Sequence, residues 1–244
     1  MLSRWREHRQ RFPHQPERTR CNRQRRALAP AINWRRRAIV DGLDGAQDAQ
    51  CIRDSLPIPV VPFSYVPQAN TDWTAAGATC GHGCSKKPAI FGYQLALLVT
   101  PAGLLRDLER APANLTDREV GAELLEAHAP LQLVADKGSI SRPLAQELRA
   151  QRALLLRTVP RRNQTPQPWV ASCHLHAHLR PVLEVVNRHW ALPFQIETTQ
   201  AHSFWGPTAR LSTQLAAQTL GVWLNRLVGV PDLLHLKCLA FPNN

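Results

Sequence analysis

The sequence lacks long apolar runs, although hydrophobic residues make up 44% of its 244 residues. A helix that crosses a bilayer needs about twenty consecutive apolar residues, so we expect no membrane segment. The basic residues near the N-terminus are not followed by an apolar stretch, which argues against a secretory signal. Six cysteines without such a signal favour reduced thiols over a disulfide framework. We therefore expect a cytoplasmic protein.

Acidic residues are scarce: the chain has 18 Asp and Glu against 30 Lys and Arg, a formal net charge of +12. The excess lies at one end, because residues 1–37 contain twelve arginines and only two acidic residues. Guanidinium groups match phosphate oxygens in pairs of hydrogen bonds, so this arm is a candidate for binding nucleic acid. A solvated basic tail is the alternative, and composition favours neither.

The sequence patterns of several enzyme classes are also missing. We find no Gly-rich phosphate loop, no dinucleotide-binding fingerprint and no ordered set of Ser, His and Asp. Two groups of residues could supply zinc ligands: Cys80, His82 and Cys84 in one, and Cys173, His174, His176 and His178 in the other. Their spacing differs from that of usual zinc sites, so we expect ordinary loop residues. A zinc-stabilised interaction protein stays open as an alternative.

The hydrophobic pattern predicts an α/β fold. We expect little packed structure in residues 1–26, helical patches in 27–50 and a long loop at 67–89. Strands are predicted at 51–60, 91–99, 104–111, 131–135 and 153–159, and helices from Thr116, over 141–151, around Glu184 and over 204–227. A hairpin followed by helix-linked strands requires a mixed sheet. This order suits a ribonuclease H-like sheet flanked by helices, at 51–244, behind a basic, partly disordered arm at 1–50.

Three acidic residues occupy informative places in this scheme. Asp54 lies in the first strand, Asp136 ends the buried strand 131–135, and Glu184 lies on a later helix. Carboxylates that converge at strand ends bind hard divalent cations such as Mg²⁺. Each residue also has a simpler interpretation. Asp54 could form a turn, Asp136 could begin a loop, and Glu184 could pair with Arg180 or Arg188 on the helix surface.

Nine short motifs resemble those of bacterial insertion-sequence DDE transposases, most closely the insertion-sequence 982 group. They are DSLPIPV (54–60), SKK (85–87), FGYQL (91–95), APAN (111–114), ADKG (135–138), PRRNQ (160–164), FQIE (194–197), AHSFWG (201–206) and LNRL (224–227). Each motif alone is weak. Their order and spacing, from about Arg25 to Asn243, make the combination specific.

The resemblance implies a transposase that cleaves DNA and transfers strands with two Mg²⁺ ions, for which Mn²⁺ can substitute. Asp54, Asp136 and Glu184 would form the metal-binding catalytic triad. The implied DNA-phosphate contacts are Lys86, Lys87, Lys137, Arg161, Arg162 and Arg180, each with a solvated surface residue as the alternative. The implied partners are double-stranded transposon ends and target DNA, bound by a homo-oligomer in the nucleoid of a bacterial cell.

The chain departs from the family pattern at four places: Ser139 replaces an aromatic residue, Ala96 a His, Val185 a Thr and Ala191 a basic residue. Family members also carry a larger N-terminal DNA-recognition region, so we expect a truncated copy here. An inactive DNA-binding remnant is therefore the alternative function. A general nuclease of the ribonuclease H-like fold is a further one.

Overall fold

A computed structural model describes the core of the chain. The described residues are 13–14, 16–43, 48–69, 71–82, 89–116, 119–120, 124–125, 132–135, 142–152, 154–158, 170–191, 196 and 204–233. The strands are β1 (Gln50–Val61), β2 (Thr79–His82), β3 (Ala89–Val99), β4 (Leu105–Pro112), β5 (Gln132–Ala135) and β6 (Leu155–Thr158). The helices are α1 (Arg18–Gly42), α2 (Thr71–Ala75), α3 (Arg142–Arg152), α4 (Val170–Ala191) and α5 (Trp205–Leu227), with a 3₁₀ helix at Phe63–Gln68. No helix in these ranges is both long and apolar enough to cross a bilayer.

The six strands form one mixed sheet with β1 near its centre. β1 pairs antiparallel with β3 and parallel with β5, and β6 continues the parallel side. The outer edge of β3 is shared, because β2 pairs with its first part and β4 with the rest. Antiparallel pairing among β1 to β4, followed by the parallel strands β5 and β6, is the mixed arrangement that the sequence predicted, with β2 as an additional strand.

The sheet is covered on both faces, and β3 accordingly has an almost continuous run of buried side chains. In β3, Leu95 and Leu97 face one core, which also contains Val186 of α4 and Leu215 of α5. Leu98, from the opposite face of β3, packs in a second core. That core also contains Cys51, Leu133, Leu148 of α3 and the apolar residues Val120, Leu124 and Leu125. The α/β ribonuclease H-like fold, with helices on both faces of a mixed sheet, is confirmed.

α1 is a helix of 25 residues where the sequence predicted only helical patches. It begins at Arg18, inside the segment expected to have little packed structure, and it lies along α5. The Asn33 amide donates to Ser212 Oγ at 3.3 Å, and Arg25 Nε donates to Thr213 Oγ1 at 3.4 Å. The prediction failed because polar residues dominate the first part of α1, and only Ala29, Ile32, Ile39 and Val40 farther along form a short apolar stripe. The division of the chain at residue 50 stays a prediction.

The predicted loop at 67–89 is wrong for two of its parts. Residues 71–75 form α2, whose Trp73 is buried, and 79–82 form β2. Gly77 lies between them with a φ of +86°, a conformation that glycine adopts without strain. The glycines therefore mark a tight turn between short elements, and the sequence alone did not distinguish that turn from a longer loop.

Two local predictions at the β3–β4 hairpin and the following helix start are confirmed. The turn at 101–103 closes with Thr100 N–H donating to the Leu104 carbonyl at 2.9 Å. Thr116 and Glu119 form the predicted capping box. Thr116 N–H donates to Glu119 Oε2 at 2.7 Å, and Glu119 N–H donates to Thr116 Oγ1 at 3.4 Å. The Thr116 backbone N–H, and after it the Thr116 hydroxyl, donate to the Glu119 carboxylate and lower its pKa.

Candidate active site

Asp54 lies in the central strand, where two hydrogen bonds orient its carboxylate. Ser55 N–H donates to Asp54 Oδ1 at 2.8 Å. The Asn187 amide Nδ2 donates to Asp54 Oδ2 at 2.6 Å, across 133 residues of sequence. The side chain is half-buried. A carboxylate held from two sides in this way has a fixed direction, which a ligand to a metal ion needs.

Asp136 follows the last described residue of β5, Ala135, and itself lies outside the described residues. The parallel ladder between β1 and β5 runs as far as the pair Arg53 and Ala135. The residue after Arg53 in the sequence is Asp54. The two acidic positions therefore each come directly after the last paired residues of two neighbouring parallel strands.

Helix α4 is packed across this part of the sheet. Leu179 of α4 is buried against Ile52 of β1 and Val134 of β5, with Val182 and Leu183 packed beside them. Farther along the helix, Val186 and Trp190 are buried in the first core. This apolar stripe fixes the rotation of α4 about its axis, so its polar residues have defined positions relative to Asp54.

Glu184 is on the exposed part of α4. Its Oε1 lies 3.1 Å from Arg180 Nε, one turn earlier, and the two side chains are 60% and 68% exposed. This is the helix-surface ion pair that was the simpler interpretation of Glu184. Exposed pairs of this kind contribute only about 0.2–1 kcal/mol, so the contact holds Glu184 weakly.

Asn187, three residues after Glu184, contacts Asp54, and the sequence analysis did not identify this residue. Its Oδ1 is buried and has no hydrogen-bond partner within the described part of the chain. The available signal was a polar residue next to the apolar stripe of α4, between the buried Val186 and Trp190. That signal is weak without knowing which strand the helix covers.

Of the six predicted DNA-phosphate contacts, the structure describes one, Arg180. Lys86, Lys87, Lys137, Arg161 and Arg162 lie outside the described residues. Arg180 is exposed on α4, in the pair with Glu184. Five further exposed arginines lie along α1: Arg20, Arg23, Arg26, Arg35 and Arg37. α1 therefore presents a basic surface, in the arm whose composition suggested phosphate binding.

Among the described residues, no three His, Cys, Asp or Glu side chains come together to hold a metal ion. Of the zinc candidates, Cys80 and His82 lie on β2, His174 and His178 are exposed on α4, and Cys84 is outside the described residues. The oxygen donors here are the two carboxylate oxygens of Asp54 and the buried amide oxygen of Asn187, which has no hydrogen-bond partner within the described residues. Such hard oxygen donors fit Mg²⁺ or Mn²⁺.

Comparison with known protein families agrees with the resemblance that the sequence motifs indicated. The model of the family described as transposase DDE domain matches residues 52–204, more than half of the chain. No curated protein matches the chain. Among solved structures, the cryo-EM structure of the piggyBac transposase synaptic complex with hairpin DNA is similar, with a TM-score of 0.51 and 9% identity. The alignment covers 78% of this chain and 51% of that one, so this chain spans about half of its length.

At 9% identity, the similarity to the piggyBac transposase shows the fold alone. The family match is independent of that similarity and begins at Ile52, two residues before Asp54. It extends through β5 and α4 to Phe204, at the start of α5, and so contains all three acidic candidates. The chain therefore belongs to the transposase DDE domain family.

Proposed function

We propose that the chain is the catalytic part of an insertion-sequence transposase, which cleaves DNA and transfers strands in the presence of Mg²⁺. The observation that carries the proposal is the family match over 52–204, combined with a fixed carboxylate, Asp54, on the central strand. The motifs favour the insertion-sequence 982 group and a bacterial cytoplasm, where the substrate DNA is found.

In this proposal, Asp54, Asp136 and Glu184 hold the divalent ions. Support comes from the β1–β5 ladder, which ends at the residues preceding Asp54 and Asp136, and from α4, which packs on both strands. In this proposal Glu184 binds the ions after its ion pair with Arg180 breaks. Breaking the pair costs little free energy because both side chains are exposed. Two bound Mg²⁺ ions, or Mn²⁺ ions in their place, would stabilise the negative charge that develops during phosphodiester cleavage.

The residues of the chain have separate tasks in this scheme. Ser55 N–H and the Asn187 amide hold the Asp54 carboxylate in one orientation. Arg180, freed from Glu184, contacts a DNA phosphate, as do Lys86, Lys87, Lys137, Arg161 and Arg162. These contacts align the scissile strand, and alignment with charge stabilisation is what phosphoryl transfer requires.

Double-stranded DNA is the proposed substrate, both as transposon ends and as target. The basic surface of α1 supports this, because exposed arginines bind phosphate without regard to base sequence. We further propose a homo-oligomer, since joining two transposon ends to one target needs two active sites.

The test is a nicking and strand-transfer assay on supercoiled plasmid and on oligonucleotides with the element's ends, in Mg²⁺ or Mn²⁺. We expect Asp54→Asn and Asp136→Asn to lose at least about a hundredfold in rate, because each removes a charged ligand. Glu147→Gln is the matched control, an exposed carboxylate on α3 that should keep the full rate.

Two other results would contradict the proposal. DNA binding without metal-dependent cleavage, in the unaltered chain and in both variants, would identify an inactive DNA-binding remnant. Metal-dependent cleavage with no preference for the element's ends would identify a general nuclease of this fold.

A further inference from the structure

The packing of α4 determines which of its polar residues faces the central strand. Leu179 is buried against Ile52 and Val134, and Val186 and Trp190 are buried farther along. With this stripe turned to the sheet, Arg180 and Glu184 remain exposed. Asn187 lies at the border of the stripe and reaches Asp54.

The contact between Asn187 and Asp54 is short and charge-assisted. Its 2.6 Å length is at the low end for a nitrogen donor and a carboxylate oxygen. The other carboxylate oxygen accepts from the backbone of Ser55. Asn187 and Ser55 N–H therefore restrict the rotation of this carboxylate together.

The second atom of the amide is the more informative one. Oδ1 of Asn187 is buried, and the described part of the chain offers it no donor. Buried amide oxygens nearly always have a partner, so an orphaned one next to a fixed carboxylate calls for a ligand. The ligand must be a donor or a cation, since an amide oxygen only accepts.

We infer that Asn187 is a member of the cation site: its N–H orients Asp54, and its Oδ1 is an oxygen ligand for the divalent ion that Asp54 holds. The inference rests on the proposed function. It adds to the acidic triad a residue to which neither the family match nor the resemblance gives a role. Carboxylate and amide oxygens are both donors that Mg²⁺ and Mn²⁺ accept.

The chemistry of Asn and Asp at this position separates the two tasks. Aspartate keeps an oxygen in place of Oδ1 but cannot donate to Asp54, and leucine removes both functions at similar size. In the absence of metal, Asn187→Asp would place two carboxylates side by side. The metal would then relieve their repulsion, which makes the stability of this variant depend on the ion.

The experiment is a titration of the full chain with Mn²⁺ alone, followed by calorimetry or by the loss of the free-ion paramagnetic signal. We expect Asn187→Leu to weaken Mn²⁺ binding about tenfold to a hundredfold, as losses next to a metal ligand do. Asn187→Asp should bind at least as tightly as the unaltered chain and show a larger Mn²⁺-induced rise in Tm. Arg188→Gln, on the exposed neighbouring position, is the matched control and should not change the affinity.

Each contrary outcome has its own meaning. Unchanged affinity in Asn187→Leu, with circular dichroism showing a folded chain, overturns the inference. Equal losses in Asn187→Leu and Asn187→Asp also overturn it, because they limit Asn187 to holding Asp54. If Asp54→Asn leaves Mn²⁺ binding unchanged, or the unaltered chain binds none, the metal site of the proposed function itself fails.

Discussion

The first helix exposes most of its charged side chains, whereas the charged side chains of the central strand are buried or half-buried. α1 contains eight arginines and one aspartate, and most of its arginines are exposed. β1 contains one arginine and one aspartate; Arg53 is buried and Asp54 is half-buried and held by two hydrogen bonds. An exposed charge keeps its water, whereas a buried one has to be held by the protein. A charge kept inside the sheet is thus the stronger indication of a chemical function.

Arg36 is the buried exception among the arginines of α1, and it connects the helix to β4 of the sheet. It belongs to α1 but is only 3% exposed. Its Nη1 donates to the Leu105 carbonyl of β4 at 3.0 Å, and its Nη2 lies 3.9 Å from Asp107 Oδ1. Burial lowers the pKa of the Arg36 guanidinium, and Asp107 opposes that shift. Arg36 therefore anchors α1 to the sheet from a buried position, whereas Arg37 reaches Asp107 Oδ1 at 3.7 Å from a largely exposed one.

The largest expected difference in stability is between two glycine-to-alanine substitutions, one in the sheet and one at the end of α1. An alanine Cβ at Gly92 of β3 would overlap the Ile58 carbonyl of β1, next to the register shift at Pro59. We expect Gly92→Ala to reduce the free energy of unfolding by more than about 4 kcal/mol, or to prevent folding, because backbone atoms cannot move aside. Urea unfolding followed by circular dichroism measures it.

Gly42→Ala, at the end of α1, is the matched control, because nothing lies within 4 Å of the added Cβ. It should change stability by no more than about 1 kcal/mol. Similar effects at the two glycines would contradict the close approach of β1 and β3.

The next effect separates the buried arginine of α1 from an exposed one. We expect Arg36→Met to lower the free energy of unfolding by about 2 kcal/mol, because the buried Leu105 carbonyl loses its charged hydrogen-bond donor. Arg35→Met, at the exposed neighbouring position, should stay within about 0.5 kcal/mol. Equal values in urea unfolding would show that α1 is not anchored through Arg36.

A smaller effect concerns DNA affinity. The triple change of Arg20, Arg23 and Arg26 to Gln should weaken DNA binding about tenfold, roughly 1.4 kcal/mol. It should also reduce the slope of log affinity against log salt by about three, because three phosphate contacts are lost. Fluorescence anisotropy with labelled duplex DNA at several salt concentrations measures both quantities.

The triple change to Lys is the control for charge, since it keeps the phosphate contacts. An unchanged salt slope in the Gln variant would mean that the basic surface of α1 does not touch DNA. The Gln variant should be as stable as the unaltered chain, because these three side chains are exposed.

The smallest effect compares two helix starts. α1 has no side-chain capping hydrogen bond, whereas Thr116 and Glu119 cap each other in the helical turn of the second core. Thr116→Ala should cost about 1 kcal/mol in thermal unfolding, since it removes an N-cap oxygen. Glu17→Ala, at the uncapped start of α1, should stay within about 0.5 kcal/mol.

The capping box also predicts a pH dependence. The hydrogen bonds from Thr116 lower the pKa of Glu119 in the folded chain, so the stability they give is present above the ordinary glutamate pKa. It is lost as the pH falls through the lowered value. Glu119→Gln, whose amide does not ionise, should therefore show a weaker acid loss of Tm below about pH 4.5 than the unaltered chain. An identical acid profile would contradict the cap.

Sequence patterns predicted the strands that are short apolar runs bounded by turn residues. β3 and β4 were found as a hairpin around the turn at 101–103, and β5 was found as a short apolar run of the buried-strand type. The capping box was found because its residues are neighbours in the chain. The start of α1, α2 and β2 were missed, because their stability comes from contacts with distant segments. Asn33 with Ser212 and Tyr93 with the Ala76 carbonyl are examples.

The sequence by itself determined the mixed sheet, the positions of the acidic residues along the chain and the concentration of arginine near the N-terminus. Each follows from local period, spacing or composition. The tertiary structure decided that Asn187 contacts Asp54 while Glu184 pairs with Arg180, and that Arg36 is buried. Those outcomes depend on the rotation and depth at which a helix packs. The whole set of core contacts fixes both quantities, whereas the periodicity of a helix identifies only its apolar face.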